Sequence, residues 1–230
     1  MVEIIPALLE KEYTEIEHKA SLVRGLVPTL QIDVMDGVFA PDVSWPYEDG
    51  KQAGFERLLE GDVPLPFWEA FQYEIDLMIQ DPEEDISEWI KTGASRIIVH
   101  VESTKNLEEI VGTYGALSGF AESLELGLAL SIGTPNDILE PYIDRVSVVQ
   151  FMGISQIGFQ GQPFDERVLG KMRDLRAAHP DVTISVDGGV SLKNAPGIIA
   201  AGANRLVSGS AIWKSGNPEE SIKKFKSLSS

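Results

Sequence analysis

Short apolar runs alternate with amphipathic stretches from one end of the chain to the other, and few architectures accept that order. The strand candidates are Glu3–Leu8, Thr29–Met35, Tyr73–Ile79, Arg96–Val101, Leu126–Ser131, Val146–Met152, Val182–Val186 and Arg205–Ser208. Unbroken runs such as Ile97-Ile98-Val99 are what parallel strands covered on both faces require. Helical patterns fill the intervals at Lys11–Leu26, Phe55–Leu59, Pro82–Thr92, Asn106–Tyr114, Pro135–Glu140, Asp165–Ala178, Ser191–Ala200 and Pro218–Leu228. Thr134-Pro135 and Asn217-Pro218 each place a capping residue before a proline suited to the first helical turn. Gly93 and Gly202 stand where a left-handed residue ends a helix just before the next strand. Strict alternation predicts an α/β fold, a closed (β/α)8 barrel of the TIM type, as a single domain over residues 1–230. An open parallel sheet is the alternative, because pattern does not reveal closure. The long Pro-, Gly- and Asp-rich connection from Gly37 to Pro66 follows the second strand and is read as a candidate lid.

Composition narrows the function. With 36 acidic and 19 basic residues the formal charge is −17, a field that repels nucleic acid and anionic membranes. A phosphorylated ligand would then need local groups to hold it. There is no cysteine, which excludes disulfides, thiolate nucleophiles and thiolate-bound zinc. No segment approaches the ~20 apolar residues of a membrane helix, and Met1–Pro6 reads as a strand rather than a leader. The expectation is a soluble cytoplasmic protein.

In a barrel, chemistry gathers at the C-terminal ends of the strands. Those ends supply Gln31, Asp33 and Met35 on one face of the second strand, Asp76 and Met78 on the third, and His100 with Glu102 after the fourth. They continue with Gly158-Phe159-Gln160-Gly161-Gln162, Asp187-Gly188-Gly189 and Gly209-Ser210. One strand-end acid is most simply a turn cap; three, at Asp33, Asp76 and Asp187, favour a site. Glycine turns after the last two strands, with a short helix starting at Ser210, suit an anion such as phosphate.

Several of these segments carry a specific resemblance. Gln31-Ile32-Asp33-Val34-Met35-Asp36-Gly37-Val38-Phe39-Ala40-Pro41 resembles the H-x-D-V-M-D-G-x-F-x-P signature of ribulose-phosphate 3-epimerases. Asp76-Leu77-Met78-Ile79 with Pro82 is similar to their H-L-M-V-x-x-P, and Gly158–Phe164 to G-F-G-G-Q-x-F. Val186–Val190 and Val207–Ile212 match the two C-terminal motifs almost letter for letter. The resemblance implies a ribulose-phosphate binding barrel in which Asp33 and Asp187 are the acid/base pair acting through an enediolate. It places Gly158, Phe159, Gly161, Gln162, Gly188, Gly189, Gly209 and Ser210 around a phosphorylated sugar, with Met35 and Met78 as walls. It also implies a homo-oligomer.

The departures fall on the metal. The family's two histidine ligands are replaced by Gln31 and Asp76, and the serine of its N-terminal motif by Ala7. Gln31, Asp33, Asp76 and Asp187 form an oxygen-only set, suited to Mg²⁺ or Mn²⁺ rather than Zn²⁺. Without a cation, the clustered acids must retain a proton. Three readings follow: a sugar-phosphate epimerase or isomerase with altered metal chemistry, a catalytically inactive phosphometabolite-binding barrel, and a related barrel decarboxylase. The last ranks lowest, because Met78 stands where a decarboxylase needs lysine.

Overall fold

The computed structural model describes residues 2–48, 53–116, 124–159 and 161–228. Eight parallel strands close on themselves in sequence order. They are β1 (Glu3–Leu8), β2 (Thr29–Met35), β3 (Gln72–Met78), β4 (Arg96–His100), β5 (Glu125–Leu130), β6 (Val148–Met152), β7 (Ile184–Asp187) and β8 (Arg205–Ser208). The seam pairs Glu3 with Arg205 and Ile5 with Val207. Around the barrel lie α1 (Tyr13–Val23), α2 (Ala53–Leu59), α3 (Glu83–Lys91), α4 (Leu107–Tyr114), α5 (Arg167–Ala178), α6 (Ala195–Ala200), α7 (Ser210–Trp213) and α8 (Pro218–Ser227). Among the described residues no helix is long and apolar enough to cross a membrane.

Period-two alternation divides each strand between two environments. Leu30, Ile32 and Val34 of β2, with Tyr73, Ile75 and Leu77 of β3, belong to the main core between barrel and helices. The residues between them face the barrel axis, where Ile5, Ala7 and Val207 form a small separate apolar cluster. Toward the N-terminal end of the strands the axis is filled by charge instead. Arg205 donates to Glu3 (3.0 Å) and to the fully buried Glu74 (2.6 Å), and Arg96 joins the same Glu74 oxygen at 2.6 Å. Arg96 also pairs with Glu125, and Thr29 donates to Glu3.

The fifth crossover departs from the sequence expectation. Pro135–Glu140 is not an α-helix: the connection consists of two 3-10 turns, Asn136–Leu139 and Ile143–Arg145. Pro141 has no N–H to continue the ladder beyond Glu140, which is itself helical (φ −50°, ψ −41°), and the Thr134 hydroxyl bonds to Glu102 rather than to a helix start. Asn217 does cap as expected, accepting from the Glu220 N–H at 3.1 Å, and Gly93 (φ 88°) and Gly202 (φ 107°) adopt the left-handed conformation.

The described parts of the connection after β2, residues 37–48 and 53–66, bury Ala40, Trp45, Phe55, Leu58 and Leu65. Trp45 is fully buried and meets the rings of Phe55 and Trp89 at 5.6 and 5.7 Å between centroids. The Trp45 backbone N–H donates to the Glu10 carbonyl at 2.8 Å. The segment closes back on its own strand, with Asp36 bridging to Val43 and the Ser44 hydroxyl bonded to Met35 N–H and the Asp33 carbonyl, both at 2.9 Å.

Candidate active site

β2 and β3 run in register, so Asp33 lies beside Asp76 and Met35 beside Met78. β7 ends on Asp187, distant from them in sequence but adjacent in space. Asp33, Asp76 and Asp187 each offer a carboxylate oxygen within 4.8 Å of the other two, and all three residues are buried. The Gln31 amide nitrogen joins two of them, donating to Asp33 at 2.8 Å and to Asp187 at 2.9 Å. Asp76 is held from beneath: His100 Nε2 lies 3.1 Å from one of its oxygens, and Gln150 donates to the other at 3.2 Å. Ser185 in turn donates to the Gln150 carbonyl oxygen at 3.1 Å.

This crowding sets the protonation states. Burial, followed by the charges of Asp187 and Asp76, holds Asp33 well above the usual carboxylate range. Burial and then Asp76 push Asp187 up to about 7, against the lowering hydrogen bonds from Gln31 and the Gly188 N–H. For His100, burial favours the neutral ring, but the Asp76 carboxylate outweighs it and raises the pKa. In the absence of a cation the acid pair therefore keeps a proton at neutral pH.

The cluster also has the character of a cation site. Three buried carboxylates suit a hard divalent ion. The Gln31 Oε1 atom is buried and has no hydrogen-bond partner among the described residues. Rotating that amide by half a turn would present the oxygen to an ion among the three acids.

Above the acids lies a pocket that opens to solvent. Of the residues expected from the sequence, Asp33, Asp187, Met78, Gly158, Phe159, Gly161, Gly188, Gly189, Gly209 and Ser210 all line it. Gln31 and Asp76 lie fully buried below. Met35 packs behind the wall, its sulfur 3.3 Å from where a Cβ on Gly158 would stand. Gln162 lines a neighbouring groove with Phe164 and Gly189 rather than the pocket itself, and Gln160 lies outside the described residues. The two glycines after β7 are required by their surroundings. Gly188 (φ 95°) and Gly189 (φ 68°) are left-handed, and added Cβ atoms would sit 2.7 Å from Ile154 and 2.8 Å from the Phe164 backbone.

Sequence reading missed Gln150 and Ser185. Their signal was a polar residue inside an otherwise apolar strand, in phase with Asp76 on the inner face. It also left Asp36 without a role. This acid accepts from Val38 and Phe39 at 2.8 and 3.0 Å and from the Gln80 N–H at 2.9 Å, tying the loops after β2 and β3 together.

Comparison with known proteins agrees with this geometry. The family model described as the ribulose-phosphate 3 epimerase family matches residues 3–213. The chain is 30% identical over 221 residues to a ribulose-phosphate 3-epimerase of Schizosaccharomyces pombe, covering 96% of this chain and 90% of the relative. It is 33% identical over 230 residues to a chloroplastic ribulose-5-phosphate-3-epimerase of Arabidopsis thaliana, covering 97% and 75%. Among solved structures, a 3-keto-L-gulonate-6-phosphate decarboxylase from Vibrio cholerae superposes with a TM-score of 0.70 at 14% identity, over 99% of this chain and 96% of that one. That likeness is one of fold.

Proposed function

The chain belongs to the ribulose-phosphate 3-epimerase family and is a sugar-phosphate epimerase; from that premise we propose that Asp33 and Asp187 exchange the C3 proton of a ketopentose phosphate. The observation that carries this reading is the pairing of two buried acids on one Gln31 nitrogen at the floor of one pocket. The inactive-barrel alternative is not favoured, since the relatives are named as epimerases.

The C3 proton lies next to the C2 carbonyl, so the electron pair left by its removal passes to the carbonyl oxygen and gives an enediolate. One aspartate, ionised, takes the proton; the other, protonated, delivers its own to the opposite face of C3. Two carboxyl groups with raised pKa values that share a hydrogen-bond donor suit that division, because one can be charged while the other is not. Gln31 orients both groups. His100 and Gln150 keep the third acid, Asp76, in place beneath them.

A divalent cation held by Asp33, Asp76 and Asp187, with the Gln31 oxygen turned inward, would neutralise charge developing on the substrate oxygens. The oxygen-only donor set favours Mg²⁺ or Mn²⁺ over Zn²⁺. Gly188, Gly189, Gly209 and Ser210 would receive the phosphate, while Gly158, Phe159 and Gly161 would stand over the sugar and Met35 and Met78 back it. The reading is completed by a cytoplasmic location and a homo-oligomeric state.

The test is exchange of solvent deuterium into C3 of ribulose phosphate and other ketose phosphates, with and without Mg²⁺ or Mn²⁺. Wild type should incorporate deuterium and epimerise. Asp33→Asn and Asp187→Asn should each lose roughly 10²–10⁴-fold in turnover, and the double variant should do neither. Absence of C3 exchange by wild type under every condition would overturn the proposal.

A further inference from the structure

A phosphate dianion entering this pocket meets an adverse field. The chain carries −17, and among the described residues the pocket is lined by Asp33 and Asp187 and by no cationic side chain. Backbone N–H groups at glycine turns contribute only partial charges. A full positive charge nearby is therefore the missing element. The lysines at the C-terminal face differ in availability. Lys11 pairs with Asp42 and Glu48. Lys171 is committed to main-chain carbonyls, donating to Ser131 at 2.7 Å and also to Thr134.

Lys214 is placed differently. It follows Ser210 by four positions at the end of α7, so the two share one face of that short turn. Its ammonium also lies close to the loop after β6, since a Cβ on Gly161 would stand 3.8 Å from Nζ. Gly161 and Ser210 both line the pocket, so the lysine head lies beside one lining residue and its backbone one helical turn from the other. Lys214 is exposed and, among the described residues, has no carboxylate partner.

We propose that Lys214 is a substrate-binding residue that pairs with the phosphate group of the sugar and selects phosphorylated over unphosphorylated ketoses. The proposal rests on the assignment of this pocket to a sugar phosphate. Lys214 touches no reacting carbon; its contribution is to affinity.

The experiment compares wild type, Lys214→Gln and Lys214→Arg in steady-state kinetics, with competition by inorganic phosphate. Loss of a charge-assisted hydrogen bond to phosphate should raise KM about 10-fold in Lys214→Gln, with kcat falling by no more than about twofold. The inhibition constant of inorganic phosphate should rise in parallel, and added salt should weaken wild-type binding more than that of the variant. Lys214→Arg should restore KM to within about threefold, because guanidinium also pairs with phosphate. Unchanged KM and phosphate inhibition in Lys214→Gln would overturn the proposal, as would a loss confined to kcat. Direct calorimetric titration with inorganic phosphate separates this from the assignment of the site. If wild type turns over no ketose phosphate but Lys214→Gln binds phosphate about 10-fold more weakly, the epimerase chemistry is misassigned and the lysine's role stands.

Discussion

The acid cluster should make the stability of the cation-free protein fall as pH rises, opposite to the usual behaviour of buried carboxylates in ion pairs. Asp187 has its pKa pushed from 3.8 up to about 7. Between those values the unfolded chain has released the proton and the folded chain still holds it. The folded state therefore binds more protons, and the free energy of unfolding declines across this interval. At about 1.4 kcal/mol for each tenfold change in proton affinity, the gap corresponds to about 4 kcal/mol. Asp33, also raised, adds to the same slope. For a chain of this size, about 4 kcal/mol amounts to roughly 8–16 °C in Tm. The assay is urea or thermal unfolding in EDTA from pH 5 to pH 8, repeated with saturating Mg²⁺ or Mn²⁺. Wild type in EDTA should lose most of this stability by pH 8, and the divalent ion should flatten the curve by favouring the ionised acids. Asp33→Asn with Asp187→Asn should remove the slope. A wild-type curve in EDTA that is level or rising through this interval would refute the reasoning, as would an undiminished slope in the double variant.

Metal content is a second expectation: purified protein should carry little zinc, and Mg²⁺ or Mn²⁺ should bind reversibly by calorimetry. Stoichiometric zinc surviving dialysis would contradict the oxygen-only site. Gly209→Asp places a carboxylate where the pocket receives phosphate, and should abolish competition by inorganic phosphate while circular dichroism stays unchanged. Arg205→Met leaves Glu3 and the fully buried Glu74 without that partner. It should cost about 3–5 kcal/mol in chemical denaturation and leave KM unaltered in whatever folded protein remains.

Most of the barrel was legible because a parallel strand buried on both faces leaves few alternatives. Glu3–Leu8, Thr29–Met35 and Arg205–Ser208 have the bounds their patterns predict, and the other strands shift by one or two residues at one or both ends. Asp33, Asp76 and Asp187 could be brought together from sequence because each is an acid near the C-terminal end of a strand. The relation of Gln31 to Asp33 and Asp187 could not, since a two-residue spacing and a spacing of 156 residues converge only once the barrel closes. Glu3, Glu74, Arg96 and Arg205 were unreadable for a related reason. A charged residue at a strand's first positions looks like a solvated end, and its burial depends on opposite charges supplied by other strands. The short fifth crossover failed because proline at Pro135 begins a helix well but Pro141 ends it before a full α-helix can form.

That charged floor has a consequence for how the protein comes into being. Glu3 and Arg205 are separated by 202 positions, and Glu74 and Arg205 by 131. On a growing chain the first strands emerge long before the guanidinium that will neutralise them. Until β8 arrives, Glu74 retains only Arg96, and the axis of the barrel stays open to water at that end. Pairings this distant form late, after the local helices and hairpin-free βα units have had time to appear. Closing the ring therefore requires β8 twice over, for its pairing with β1 and β7 and for the Arg205 charge that meets Glu3 and Glu74.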